Sequence, residues 1–293
     1  MRIVSLLPSA TEIVFALGLG DELVGVTFEC DHPPDPRAER AVVVGGLDTD
    51  GLAPEAIDAL VRAKVAAGAD LYRLDDTRFR DCDPTHVLTQ DLCRVCALPA
   101  GDADAALARL GCTAEVTTLD PHTLDDVLAT ISEVGDVLAV PERAAALVEG
   151  LRRRTTAVAE RVVGRERPAV FVLEWQEPPF LSGHWVPDLV VAAGGEPMLS
   201  EPGGRSVPTD WETIRGHDPD IVVVAPCGFG LDDAAMQADE VLDRLPSRAQ
   251  VWAIDADGLV VRPGPRLIDG IEALSTIFHP DGTKPHPSTQ RIR

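Results

Sequence analysis

Side chains able to do chemistry gather in four short stretches of the 293-residue sequence. The first is Glu29-Cys30-Asp31-His32, and the second runs from Gln90 and Asp91 through Cys93 to Cys96. The third opens with Glu174-Trp175 and closes with His184-Trp185, and the fourth is Gly203-Gly204-Arg205-Ser206. Cys30, His32, Cys93 and Cys96 form a soft set suited to a transition metal ion, with His184 as a further imidazole, so Cys30, Cys93 and His184 are the candidate metal ligands. The same thiols beside His32 or His184 also suit a nucleophilic cysteine, because the thiolate is the reactive form. No nucleophile-elbow or other reaction motif accompanies them. A plainer account treats Cys96, between Val95 and Ala97, as a small buried hydrophobe.

The remaining candidates point to ligand binding. Trp175 and Trp185 suit stacking on a flat ligand, with core packing as the competing account; Trp252, inside an apolar run, fits the core better. His184 follows Gly183 in a tight loop, where its imidazole could ligate a metal centre, cap the next helix or bond a backbone carbonyl. Arg205 among glycines can meet a carboxylate or phosphate bidentately, or remain a solvated loop residue. Glu174 and Gln90, each at the end of an apolar run, are polar contacts.

Strands alternating with helices must position these residues. Strand patterns cover Ile3–Leu6, Leu23–Thr27, Val42–Val44, Val87–Thr89, Val116–Leu119, Ala169–Leu173, Ile221–Ala225 and Val251–Ile254. Helical segments, such as 123–139, lie between them. This alternation predicts an α/β protein with two doubly wound parallel-sheet lobes. Pro141 to Val163 reads as one helix, with Pro141 in its first turn, Glu142 complementing the dipole and Gly164 closing the far end. Its roughly 35 Å length suits a bridge between two lobes. The expected organisation is therefore an N-terminal lobe (1–140), an interdomain helix (141–164) and a C-terminal lobe (165–293). An Ala-rich insertion covers 50–73. Ser9 is expected to cap the first helix, with Glu12 completing a capping box and Gly18 supplying the stop. The Pro-, Thr- and Arg-rich tail from Asp281 is expected to fray.

Composition narrows the function classes. Hydrophobic residues make up 45% of the chain, enough for a packed core. A net charge of −22 excludes a nucleic-acid partner and disfavours anionic membrane surfaces. No apolar run reaches the length of a membrane span, so no membrane insertion is expected. Six cysteines are too few for a disulfide-stapled scaffold of this size. Arg2 leads directly into a core strand, which leaves no room for a secretory signal. The expected location is the cytoplasm, or the periplasm or cell surface if Met1 replaces a removed signal peptide.

The run Ser5-Leu6-Leu7-Pro8-Ser9-Ala10-Thr11-Glu12, a helix ending at Gly18, the strand Leu23-Val24-Gly25-Val26 and the turn Asp31-His32-Pro33-Pro34 resemble the start of class III substrate-binding proteins of ABC transporters. That group carries vitamin B12, haem and iron-siderophores. Pro178-Pro179-Phe180-Leu181-Ser182-Gly183, the later Ala193-Gly194-Gly195-Glu196 and the C-terminal Arg262-Pro263-Gly264-Pro265-Arg266 look like its vitamin B12-binding branch. The resemblance implies a cobalamin-like corrinoid or related metal chelate held in a cleft between lobes that close only slightly, and an ABC permease as partner. It adds Pro8, Ser9, Glu29 and Asp31 to the ligand contacts already named. It also implies a pair of surface glutamates for docking to the permease. Glu212 matches the second-lobe position, whereas the first-lobe counterpart falls at Asp76, which is no glutamate. The alternative function is a cytosolic enzyme or metal-ion-binding protein that uses the cleft Cys, His and Glu residues.

Overall fold

A computed structural model describes residues 1–33, 36–49, 51–90, 100–280 and 284–293. They form two compact units, Met1–Asp120 with Leu128–Val148, and Pro121–Val127 with Glu149–Arg293.

In the first unit the chain runs through β1 (Ile3–Ser5), α1 (Pro8–Ala16), β2 (Leu23–Thr27), β3 (Ala41–Gly45), α2 (Pro54–Ala66) and β4 (Arg73–Leu74). It continues through α3 (Asp76–Asp81), β5 (His86–Gln90), α4 (Ala100–Leu110) and β6 (Glu115–Leu119). The sheet order is β4-β3-β2-β1-β5-β6, all parallel except the short edge strand β4. Apolar runs such as Ile3-Val4 bury both faces, as a helix-covered parallel sheet requires. One core layer packs Val4, Leu6, Val43 and Val87 against Phe79 of α3 and Leu107 of α4. The order reverses between β1 and β5, so the loops after these strands diverge, and such a point is where open α/β sheets place ligands.

Helices α5 (Leu124–Val137) and α6 (Pro141–Val162) follow. The latter matches the long helix read from sequence, with Pro141 in its first turn and Gly164 just beyond it at φ +74°. The unit boundary falls within α6. On the first-unit side Arg143 donates to the carbonyls of Leu17 and Gly18; on the second-unit side Arg154 pairs with Asp269 and with Glu272 at 2.8 Å.

The second unit holds β7 (Ala169–Gln176), β8 (Pro179–Leu181), α7 (Val186–Ala192), β9 (Glu196–Pro197), β10 (Val207–Pro208) and α8 (Trp211–Gly216). Then come β11 (Ile221–Val224), α9 (Leu231–Val241), β12 (Gln250–Ile254), α10 (Ala256–Leu259), α11 (Leu267–Phe278) and β13 (Thr289–Arg291). A parallel centre, β9-β7-β11-β12, is flanked by antiparallel β8, β10 and β13. Phe171, Leu173, Val222 and Val224 pack beneath Trp211, Ile214 and the alanines of α9.

Two local expectations are corrected. Ser9 does not cap α1: Pro8 occupies the first turn, Leu7 stands at the N-cap without a side-chain bond, and Ser9 and Glu12 are buried inside the helix. Proline at the start moves the helix two residues upstream, since its missing N–H is one that needs no partner there. The described part of the tail, 284–293, does not fray either. Thr289–Arg291 pairs antiparallel with β12, and Val251 donates to the Arg293 carbonyl. Main-chain pairing with an edge strand secures a polar sequence that composition alone marks as loose.

Candidate ligand-binding site

The loops at the carboxyl ends of the parallel strands carry most of the candidate residues, and each unit is described by itself. In the first unit, Pro8 is half-buried and Ser9 is buried where α1 begins. After β2, Glu29 is half-buried and Asp31 exposed, but Cys30 between them is 0% exposed. Its sulfur lies 3.1 Å from the Thr11 hydroxyl and 3.4 Å from that of Thr27. A thiol so enclosed is a packed core group, so the structure does not offer Cys30 as an accessible metal ligand or nucleophile. Gln90, at the end of β5, is 6% exposed and likewise turned inward. Asp91, Cys93 and Cys96 lie outside the described residues. Among the described residues no group of three or more His, Cys, Asp or Glu side chains could hold a metal ion.

In the second unit the chemistry is closer to the surface. Glu174 sits near the end of β7, half-buried. The Gly183 amide donates to its Oε1 at 3.3 Å, and the Ser206 hydroxyl lies 2.7 Å from its Oε2 and 2.9 Å from the Leu181 carbonyl. Burial pushes the Glu174 carboxyl up to about 7, against the lowering effect of the Ser206 and Gly183 bonds. A protonated Glu174 can donate to Ser206, which then donates to Leu181 O. The carboxylate instead competes with Leu181 for the single hydroxyl proton. Glu174 thereby ties the 182–185 loop to the 203–206 loop. The backbone adds to the tie: His184 N donates to Gly204 O at 2.5 Å and Gly203 N to His184 O at 3.0 Å. A Cβ at Gly183 would overlap the Ser206 nitrogen, so only glycine permits this approach.

His184 adopts φ +53°, a left-handed conformation uncommon for a side-chain-bearing residue. Its ring centroid lies 6.0 Å from that of His122. Trp185 is 5% exposed, and its indole N–H donates to Val260 O at 2.8 Å. Its ring belongs to the core, which removes it from the stacking candidates. Trp175 remains half-buried, with its ring 5.9 Å from Phe229, and its indole donates to Glu177 O at 3.2 Å. Trp175 lies at the end of β7 and Phe229 follows β11, at the point where the strand order of this sheet reverses. Arg205 is exposed.

Sequence reasoning missed Phe229, His122 and Ser206 as members of this group. An aromatic between Gly228 and Gly230 after an apolar strand was the available signal for Phe229, and the Asp-Pro-His turn after β6 was the one for His122. Ser206 carried none beyond its place in the glycine loop. As for the docking pair, Glu212 is exposed in the first turn of α8 behind the Asp210 cap. Asp76 is engaged by Arg109 at 2.6 Å, which holds its carboxyl below the usual range.

Known proteins resemble this chain in sequence and in fold. A family profile described as "Periplasmic binding protein" matches residues 95–256. A vitamin B12-binding protein of Vibrio cholerae is 24% identical over 281 residues, 94% of this chain and 88% of that protein. An uncharacterized ABC transporter substrate-binding lipoprotein of Bacillus subtilis is 25% identical over 291 residues, 97% of this chain and 81% of that one. In fold, the chain is similar to a periplasmic heme-binding protein from Pseudomonas aeruginosa, with a TM-score of 0.73 at 24% identity, covering 100% of this chain and 98% of that one.

Proposed function

The chain belongs to the periplasmic binding protein family, and from that premise we propose that it is the substrate-binding component of an ABC importer for a cobalamin-like corrinoid or related metal chelate. It hands this ligand to a permease and works outside the cytoplasmic membrane, in the periplasm or at the cell surface. Among the described residues no helix is long and apolar enough to cross a membrane.

The observations that support the ligand class are two pairs in the second unit, the aromatic pair Trp175–Phe229 and the imidazole pair His122–His184. Trp175 and Phe229 offer π-faces to a flat macrocycle. The loop holding His184 is tied through Glu174 to the same strand end, and His122 stands beside it. A planar chelate has two apolar faces and an axial metal position, which these groups complement. Glu29, Asp31 and Arg205 are polar contacts for the ligand periphery, whereas Gln90 is turned inward. Glu212 serves as a docking carboxylate, whereas Asp76 is compromised by its pairing with Arg109.

The test is a spectrophotometric titration with hydroxocobalamin, cyanocobalamin and haemin. Saturable binding at micromolar or tighter affinity, on the order of −8 kcal/mol, is expected for a corrinoid. An absorbance shift with hydroxocobalamin, absent in His184→Ala, would identify the imidazole as the axial ligand. Binding of none of the three would overturn the reading, and haemin alone would move it to haem.

A further inference from the structure

The first unit carries a second concentration of chemistry at the opposite ends of its strands. Arg2 immediately precedes β1, Val24 lies near the start of β2, Arg40 immediately precedes β3, and Ala41 and Val42 begin it. With Arg37, Arg78, Asp81 and Cys82 these residues line a recess of about 500 Å³. The ligand loops described above leave the carboxyl ends of the same parallel strands; the recess is centred at the amino ends, and only Arg37 reaches across to the Phe28 carbonyl beyond β2.

Four guanidiniums converge here in a chain whose net charge is −22. Each is held by main-chain carbonyls. Arg2 Nε donates to Cys82 O at 2.7 Å and Asp83 O at 3.2 Å; Arg37 to Phe28 O at 2.7 Å; Arg40 to Gly20 O at 2.9 Å; Arg78 to Val42 O at 3.2 Å. Arg40 also stacks over the Phe15 ring at 4.9 Å, and its side chain is only 11% exposed. Asp81 is the carboxylate in the described lining, while Glu39 lies 3.3 Å from Arg40 and Asp75 3.5 Å from Arg78. Glu39 is 79% exposed and Asp75 46%, so these surface pairs are weak, and the lining itself sets four guanidiniums against the one carboxylate of Asp81.

An arginine fixed through one or two of its five donors keeps a planar fork oriented for an oxyanion. The volume falls within the range of roughly 300–1,000 Å³ usual for small-molecule sites. An extended anionic surface would be repelled by the acidic remainder of the chain. A compact anion that enters the recess would not be. We propose that this recess binds a small polyvalent oxyanion, a polyphosphate or polycarboxylate, independently of the metal-chelate site.

Calorimetric titration at low ionic strength with pyrophosphate and with citrate tests this, the two arms separating phosphate from carboxylate chemistry. The expected result is saturable one-to-one binding of at least one anion. Loss of roughly tenfold or more in affinity is expected in Arg37→Gln/Arg78→Gln, with a smaller loss in the single R78Q. Arg153→Gln, at an exposed α6 position, removes one positive charge as R78Q does and should leave affinity unchanged. Absence of saturable binding by either anion overturns the proposal, as does an equal loss in Arg153→Gln. Corrinoid titration of the same variants should be unaltered, so failure here is distinguishable from failure of the metal-chelate reading.

Discussion

The two units build their ligand-facing loops on the same plan, parallel strands whose carboxyl ends release loops at a reversal of strand order, and yet they spend their polar residues differently. In the first unit Ser9, Thr27, Cys30, Thr89 and Gln90 are all buried, their hydroxyl, thiol and amide groups folded inward. In the second, Glu174, Trp175, His184 and Phe229 remain half-buried and Arg205 is exposed. The difference teaches that topology supplies the position while internal hydrogen bonding decides which side chains stay available there. Cys30, enclosed by two threonine hydroxyls, contributes to packing. Glu174, held by one hydroxyl and one amide, keeps a proton that can come and go near neutrality.

The comparison is sharpened most by the two neighbouring tryptophan roles within the second unit. Trp185→Ala should cost about 3–5 kcal/mol of stability through cavity formation and loss of the bond to Val260 O. Trp175→Ala should cost about 1 kcal/mol in the same urea melts, because its ring is already partly solvated. Similar costs for both would place Trp175 in the core and remove it from the ligand surface.

Glu174 gives the next effect. A carboxyl whose folded value lies above its unfolded one binds more protons folded than unfolded. Stability therefore falls as pH rises from about 4.5 to about 7 and levels off above that window. The full penalty is at most about 3 kcal/mol, less after allowance for partial solvation. Glu174→Gln should abolish this fall and be the more stable protein at pH 8. Parallel stability curves for the two proteins between these pH values would contradict the assignment.

The smallest effect belongs to the first unit. Cys30→Ser should change stability by about 1 kcal/mol or less, since a hydroxyl can keep the contacts with Thr11 and Thr27. In site-resolved alkylation of the native protein, Cys227 should label readily and Cys30 only on unfolding. Rapid native labelling of Cys30 would mean that its loop opens, and the contrast between the units would weaken.

Much of the architecture was legible in the sequence because apolar runs and capping residues act locally. The strands at 23–27 and 251–254 and the long helix from Pro141 declare themselves by periodicity, proline and glycine. The antiparallel additions were not legible: β8, β10 and β13 are two or three residues long, and their pairing depends on partners distant in sequence. For the candidate site, residue type and strand-end position pointed to Glu174 and Trp175 at the end of β7 and to His184 on the loop that bonds to it. Burial was the missing quantity. Trp175 and Trp185 look alike in sequence, and so do Cys30 and an exposed loop cysteine, until the surrounding core claims one of each pair. Phe229 reaches the group only because β11 lies beside β7, a relation that no local pattern encodes.

The most direct test of the account is an equilibrium titration of hydroxocobalamin into the wild type, Trp175→Ala and Asp31→Asn. The account predicts micromolar or tighter binding by the wild type, a loss of roughly tenfold or more in Trp175→Ala, and a change within about threefold in Asp31→Asn. Equal affinity for Trp175→Ala and the wild type, with the loss in Asp31→Asn instead, would contradict the claim that the second unit carries the ligand chemistry.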